Sequence, residues 1–363
     1  MTALAVVAAV LAAVLPAATP LVQVELLAKL APGEAVLSGP GRDVELVAGE
    51  DCLFVDGRPE REWVGAPGRW TVSIPGVEQK AYQAALTVRA DSGVLHFRAV
   101  FDLEDYVAAV VASETTSGTP QEALRAQAVV ARSYALAARD RHPEGVLCDL
   151  AHCQLLRGSG ISRSHLAAAR AATVATRGQV LVLPSGEVAV AHLHAACGGH
   201  TADPAEAFGP DGPSAAVSDP GCAPEEWRAR VDGAALARVL RGVLARKDPA
   251  GAAAIPLVLQ ASDLRVSTGA GGWVTQVGDA EGRWRISGDA FARAADAAAG
   301  RGVVRSSRFT LSDAGQSVAF HGSGRGHGVG LCQLGAARRA AAGEGYRSIL
   351  RWYFPRAKLE PSP

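Results

Sequence analysis

LEDYVAAVVASETTSGTPQEALRAQAVVARSYAL, residues 103–136, decides how the rest of the chain is read. Val110 lies four residues before Glu114 and Val107 seven, with Val111 and Leu103 on the same side, so a helix over 103–114 carries Glu114 on its apolar stripe. SETTSG then forms a polar elbow. Thr119-Pro120-Gln121-Glu122 reads as a capping box with proline at the first helical position, opening a second helix through about Ala138. A glutamate at a helix end, facing hydrocarbon beside an open loop, is a candidate for a raised pKa and for general-acid chemistry. The alternative is a solvent-facing glutamate at the end of a helix.

In the second helix Leu124, Ala128, Ala131 and Ala135 make a face small enough for close approach by a neighbour. Gln127, Arg132 and Tyr134 sit among these alanines and need hydrogen-bond partners, either in a structural network or on a substrate.

The chain has 363 residues, enough for more than one core, with 48% hydrophobic and 20% charged residues. Its formal net charge is zero, which argues against a nucleic acid or an anionic membrane as the dominant partner. Residues 1–19 begin with the apolar run ALAVVAAVLAAVLPAA and read as a signal peptide without the usual basic start, so export is expected. No later segment is long enough for an integral membrane span. Residues 20–100 show short β-type runs broken by Gly and Pro, with ADSG as a hairpin turn, and form a β-rich leading domain read as scaffold or binding surface. Mixed helix and strand patterns follow, giving an α+β chain. Its parts are a core over 101–230, a mixed α/β insertion over 231–300 and a C-terminal part of the core over 301–363.

His142, Cys148, His152 and Cys153 place four metal-type ligands on one loop. They fit a Cys2His2 zinc site, and a Cys148–Cys153 disulfide fits an oxidising compartment equally well. Residues 164–177 read as a helix stopped by Gly178. A hairpin then delivers Cys197-Gly198-Gly199-His200-Thr201, whose paired glycines permit a tight turn that presents His200 and Thr201. Cys197 and Cys222 flank a Pro/Gly-rich loop and could clamp it as a disulfide; Cys52 and Cys332 have no obvious partner in the sequence. In GSGRGHGVGLCQLGA the glycines alternate from Gly322 to Gly330. Without a βαβ context they do not make a nucleotide loop. They read instead as a glycine-lined wall with His327 as its titratable group and a helix starting near Gln333.

LEDYVAAVVASE with EALRAQAVVARSYAL, CQLLRGSG, CGGHTAD, GSGRGHGVGLCQLGA and the closing SILRWYFP together resemble the stage II sporulation protein D family, which includes amidase enhancers. The resemblance implies a lytic transglycosylase of bacterial peptidoglycan that cuts peptide-free glycan strands to 1,6-anhydro ends, working in the cell envelope, with a wall amidase as a further partner. It places the catalytic glutamate at Glu114 and tilts His142, Cys148, His152 and Cys153 towards zinc. Where the family has a PSEM-like string, this chain has ASETT around the glutamate. One residue can act as acid and then as base in a lytic cut, whereas most glycoside hydrolases need two carboxylates. Gln127, Arg132, Tyr134, His200, Thr201, His327 and Gln333 are then the expected substrate-binding and charge-stabilising residues. The rivals are a wall-binding amidase stimulator without catalysis and a hydrolase using Asp203 or Glu104 as its second carboxylate.

Overall fold

A computed structural model describes residues 20–27, 29–138, 145–150, 153–208 and 212–362. The apolar run read as a signal peptide lies outside them. The strands β1 (Leu21–Leu26), β2 (Glu34–Ser38), β3 (Val44–Ala48), β4 (Leu53–Val55), β5 (Arg58–Glu60), β6 (Trp63–Ser73), β7 (Lys80–Asp91) and β8 (Val94–Asp102) form one sheet with β9 (Leu147–Cys148), in the order β5-β4-β3-β2-β6-β7-β8-β1-β9. Strict alternation builds it. Tyr82, Ala84, Leu86 and Val88 of β7 and Leu95, Phe97, Ala99 and Phe101 of β8 all point to one buried face. The expected ADSG hairpin is present, with Ser92 and Gly93 both at positive φ between paired Asp91 and Val94.

Helix α1 (Leu103–Glu114) follows β8 directly, capped by the Asp102 side chain, which accepts from Glu104 N. Helix α2 (Gln121–Ala137) begins one residue later than expected, and its capping box does not form. Pro120 occupies the cap position, Thr119 Oγ1 donates to Thr116 O, and Glu122 is drawn away by Arg125 and by the backbone N–H of Tyr346. Helix α3 (Arg163–Ala175) packs across both, and the three cover the sheet's inner face. The leading β-rich part therefore shares a core with the helices that carry Glu114. It is not a separately packed unit.

After β10 (Gln179–Val182) and a tight turn, β11 (Leu193–His194) and α4 (Pro204–Ala207) lead into a second core. It is built from β12 (Glu226–Asp232), α5 (Gly233–Leu244), α6 (Pro249–Ala254), β13 (Leu264–Thr268), β14 (Val274–Asp279), β15 (Arg285–Ser287), α7 (Gly288–Ala299), β16 (Phe309–Ala314) and β17 (Ser317–Ser323). The chain returns through β18 (Leu331–Cys332), parallel to β11, then α8 (Gln333–Ala341), α9 (Tyr346–Tyr353) and β19 (Lys358–Pro361), which pairs with β10. These returning elements make a third core against α2. One face of α2, with Leu124, Ala128, Ala131 and Ala135, belongs to the first core; the opposite face, with Ala123, Ala126, Val129 and Val130, belongs to the third. The fold is α+β, and among the described residues no helix is long and apolar enough to cross a membrane.

Candidate active site

Glu114 ends α1 half-buried, and burial raises its carboxyl above the ordinary range. Three opposing influences are weaker than burial: the Leu155 N–H on Oε1 at 2.8 Å, the nearby positive charge of Arg157 and a hydrogen bond from Gln333. The loop supplying Leu155 and Arg157 is pinned to β7, where Ala81 N donates to Gly158 O at 2.7 Å and Lys80 Nζ to Arg157 O at 2.8 Å. A side chain at Gly158 would strike the Tyr82 ring, and its φ of +70° suits glycine. Ser113 Oγ accepts from Arg157 N at 3.1 Å, and His165 of α3 meets Thr115, so residues on both sides of Glu114 are held. Sequence reasoning missed Leu155 because a backbone N–H carries no residue signature. Arg157 lay within a quoted motif and was given no role.

Gln333 is the first residue of α8 and joins the site from far along the chain. Its Nε2 donates to Glu114 O at 3.0 Å and to Gln127 Oε1 at 3.3 Å. Gln127 is buried and its own Nε2 has no partner among the described residues. Glu114, Gln127 and Gln333 are thus brought together.

Arg132 is placed differently from the substrate-binding role expected of it. It is fully buried and grips Glu104 with two bonds, at 2.9 and 2.7 Å, while donating to Gln179 O and Thr173 O. This fork ties α1, α2, α3 and β10 together and leaves Arg132 no reach to a substrate. Thr201 is also turned inward, exchanging hydrogen bonds with Ala215 and Val217 across the base of its loop. Tyr134 is buried; its hydroxyl bonds Cys153 and its ring edge meets His192, with centroids 5.7 Å apart.

Rings continue from there. His327 lies 5.8 Å from His192, 5.1 Å from Phe208 and 6.0 Å from His194, measured between centroids. Burial lowers the pKa of His327 and pushes His194 down to about 3, so both imidazoles are neutral near pH 7. His194 Nδ1 meets Val329 O, and its Nε2 has no hydrogen-bond partner among the described residues. His200 is half-buried, with Nδ1 2.8 Å from Thr201 O, and its carbonyl accepts from Trp273 Nε1. The glycine-lined wall is not open to a polymer. A Cβ at Gly328 would enter the Trp273 ring, and one at Gly330 would meet His192 O. These glycines let the ribbon lie against the chain's own residues.

On the His/Cys loop, the Cys148 and Cys153 sulfurs approach to 3.2 Å. His142 and His152 lie outside the described residues, so a four-ligand zinc site stands as a proposal.

A stage II sporulation protein (SpoIID) family model matches residues 92–183, which span β8, α1, α2, the Cys148–Cys153 loop, α3 and β10. Residues 92–183 are a SpoIID-family domain. An uncharacterized protein of Brachyspira hyodysenteriae is 26% identical over 259 residues, covering 70% of this chain and 65% of that protein. The amidase enhancer of Bacillus subtilis is 40% identical over 60 residues, 16% of this chain and 8% of that protein. The chain thus spans less than two thirds of either relative. The SpoIID domain contains Glu114, Gln127, Leu155 and Arg157, while Gln333 reaches it from outside the matched segment.

Proposed function

We propose that the protein is a lytic transglycosylase of peptidoglycan glycan strands, exported to the cell envelope, with Glu114 as its single acid and base. The coarser reading, a cell-wall-related role, rests on the SpoIID domain and the likeness to an amidase enhancer. The finer one is carried by one observation, a half-buried glutamate with a raised pKa at the end of α1. Protonated Glu114 donates to the glycosidic oxygen as the C1–O bond breaks. The resulting carboxylate takes the proton from the same sugar's C6 hydroxyl as O6 bonds to C1, which closes the 1,6-anhydro ring and restores the acid without consuming water. We assign Gln333 to orienting the sugar, with the buried Gln127 holding Gln333 from behind, and His327 and His200 are candidates further along the strand.

The state of the other carboxylates supports a single-residue mechanism. Glu104 is held by Arg132, and Asp203 caps α4 by accepting from Ala205 N. The test is mass spectrometry of products from peptide-free glycan treated with the wild type and with Glu114→Gln. Anhydro-terminated fragments from the wild type alone are expected. Reducing ends would point to hydrolysis, and fragments from both proteins would remove Glu114 from its role. The second reading, a non-catalytic wall-binding stimulator of an amidase, is favoured by the amidase enhancer match alone and requires glycan binding with no cleavage by either protein.

A further inference from the structure

Away from Glu114, three cysteines from distant parts of the chain meet one aspartate. Cys197, Asp219, Cys222 and Cys332 present ligand atoms that all lie within 4.8 Å of one another, and all four residues are buried. Cys332 Sγ is 3.6 Å from Cys222 Sγ, and Cys197 Sγ is 3.6 Å from Asp219 Oδ2. With Zn–S near 2.3 Å and Zn–O near 2.0 Å, a tetrahedral ion sets its sulfurs about 3.8 Å apart and sulfur and oxygen about 3.5 Å apart. The Cys332–Cys222 and Cys197–Asp219 spacings match that arrangement, and the remaining pairs lie within 4.8 Å.

The surroundings point the same way. Asp219 is 1% exposed, and among the described residues its Oδ1 has no hydrogen-bond partner; the Arg339 guanidinium lies 3.8 Å from it. A carboxylate is seldom buried so deeply without a cation or a full set of donors. Its Oδ2 accepts from Tyr353 O–H at 2.6 Å, the kind of support that fixes a ligating carboxylate. Cys332 Sγ receives the N–H groups of Cys197 and Gly335, each at 3.3 Å, which suits a thiolate. Backbone geometry makes room for the group: Gly198 and Gly199 turn at φ +66° and +105°, and a Cβ at Gly335 would collide with Asp219 Oδ2 and Tyr353 Oη.

We propose that Cys197, Asp219, Cys222 and Cys332 bind one zinc ion, separate from the His142/Cys148/His152/Cys153 loop. Binding releases the three thiol protons and leaves three thiolates and a carboxylate around Zn2+, with Arg339 and the two N–H donors offsetting the excess negative charge. The ion joins the CGG turn, the 219–222 loop and the first turn of α8. Gln333 follows Cys332 directly, so the site also fixes the residue that reaches Glu114.

The test uses the full chain purified without a polyhistidine tag, as a Cys148→Ser/Cys153→Ser variant that removes the thiols of the other loop. Elemental analysis is expected to find about one zinc per chain, and cobalt substitution to give strong thiolate-to-cobalt absorption. Adding Cys222→Ser should abolish both signals, and Asp219→Asn should weaken zinc about 10-fold or more in competition with a chromophoric chelator. A double variant without zinc overturns the proposal, as does zinc that persists after Cys222→Ser. So does alkylation mass spectrometry showing two of the three cysteines joined as a disulfide. If Cys222→Ser fails to fold, the zinc content and cobalt spectrum of the double variant still decide.

Discussion

Glu114 ties a measurable stability to its chemistry. Burial disfavours its ionised form, so its folded pKa lies above its unfolded one. The stability contributed by the protonated group is fully present below the ordinary carboxylate pKa, and it is lost as pH rises through the folded pKa. Glutamine cannot ionise and keeps an oxygen for the Leu155 N–H. The stability of Glu114→Gln relative to wild type should therefore grow across that pH window and level off above it, as read by denaturant unfolding at a series of pH values. A difference that stays flat would mean that Glu114 titrates normally and is no better placed than a surface glutamate to act as an acid. Under the proposed lytic mechanism, glycan cleavage should fall over the same window as the acid loses its proton.

The joint between α1 and α2 depends on Arg132, and the prediction there concerns folding. The guanidinium is wholly enclosed, and its main counter-charge is Glu104. Glu104→Gln leaves a buried cation without that partner and should cost about 3–5 kcal/mol by denaturant titration. Glu114→Gln should cause no such loss, which separates the two glutamates of α1. Helix α1 was legible from the apolar spacing around Val107 and Val110, and its bounds agree with the reading to the residue, whereas α2 was read from a capping box that does not form. The role of Arg132 was not legible, because polar residues on a helix look alike until the neighbouring elements are placed. The glycine ribbon misled for a related reason: alternation shows that a close approach is needed and does not reveal whether a substrate or Trp273 makes it. Cys332 could not be matched to Cys197 and Cys222 because their meeting depends on β11 pairing with β18, a contact of only two residues a side that brings Cys332 to Cys197 from 135 positions away.

Across the whole molecule, α2 is shared by two cores, whereas the core between Trp227 and Phe320 shares no buried residue with either. Opening the first core exposes Leu124 and Ala128, and opening the third exposes Val129 and Val130, so neither can be lost while α2 keeps both faces covered. The second core has its own complete set, including Trp227, Leu236, Leu240, Trp284, Phe291 and Phe320. Trp273 reaches across from that part of the chain, packing in the third core and donating to His200 O. Cooperative units of this kind are resolved by native-state hydrogen exchange in rising denaturant. Amides of α2, of β7 near Leu86 and of α9 near Leu350 should converge on one opening free energy, and those of β12 and β17 on a separate one. Convergence of every amide on a single value would mean that the Trp273 contact couples all three cores. In that case a substitution in the second core would disturb Glu114 as readily as one in α2; if the two openings are distinct, that core can vary while the arrangement of Glu114, Gln127 and Gln333 is retained.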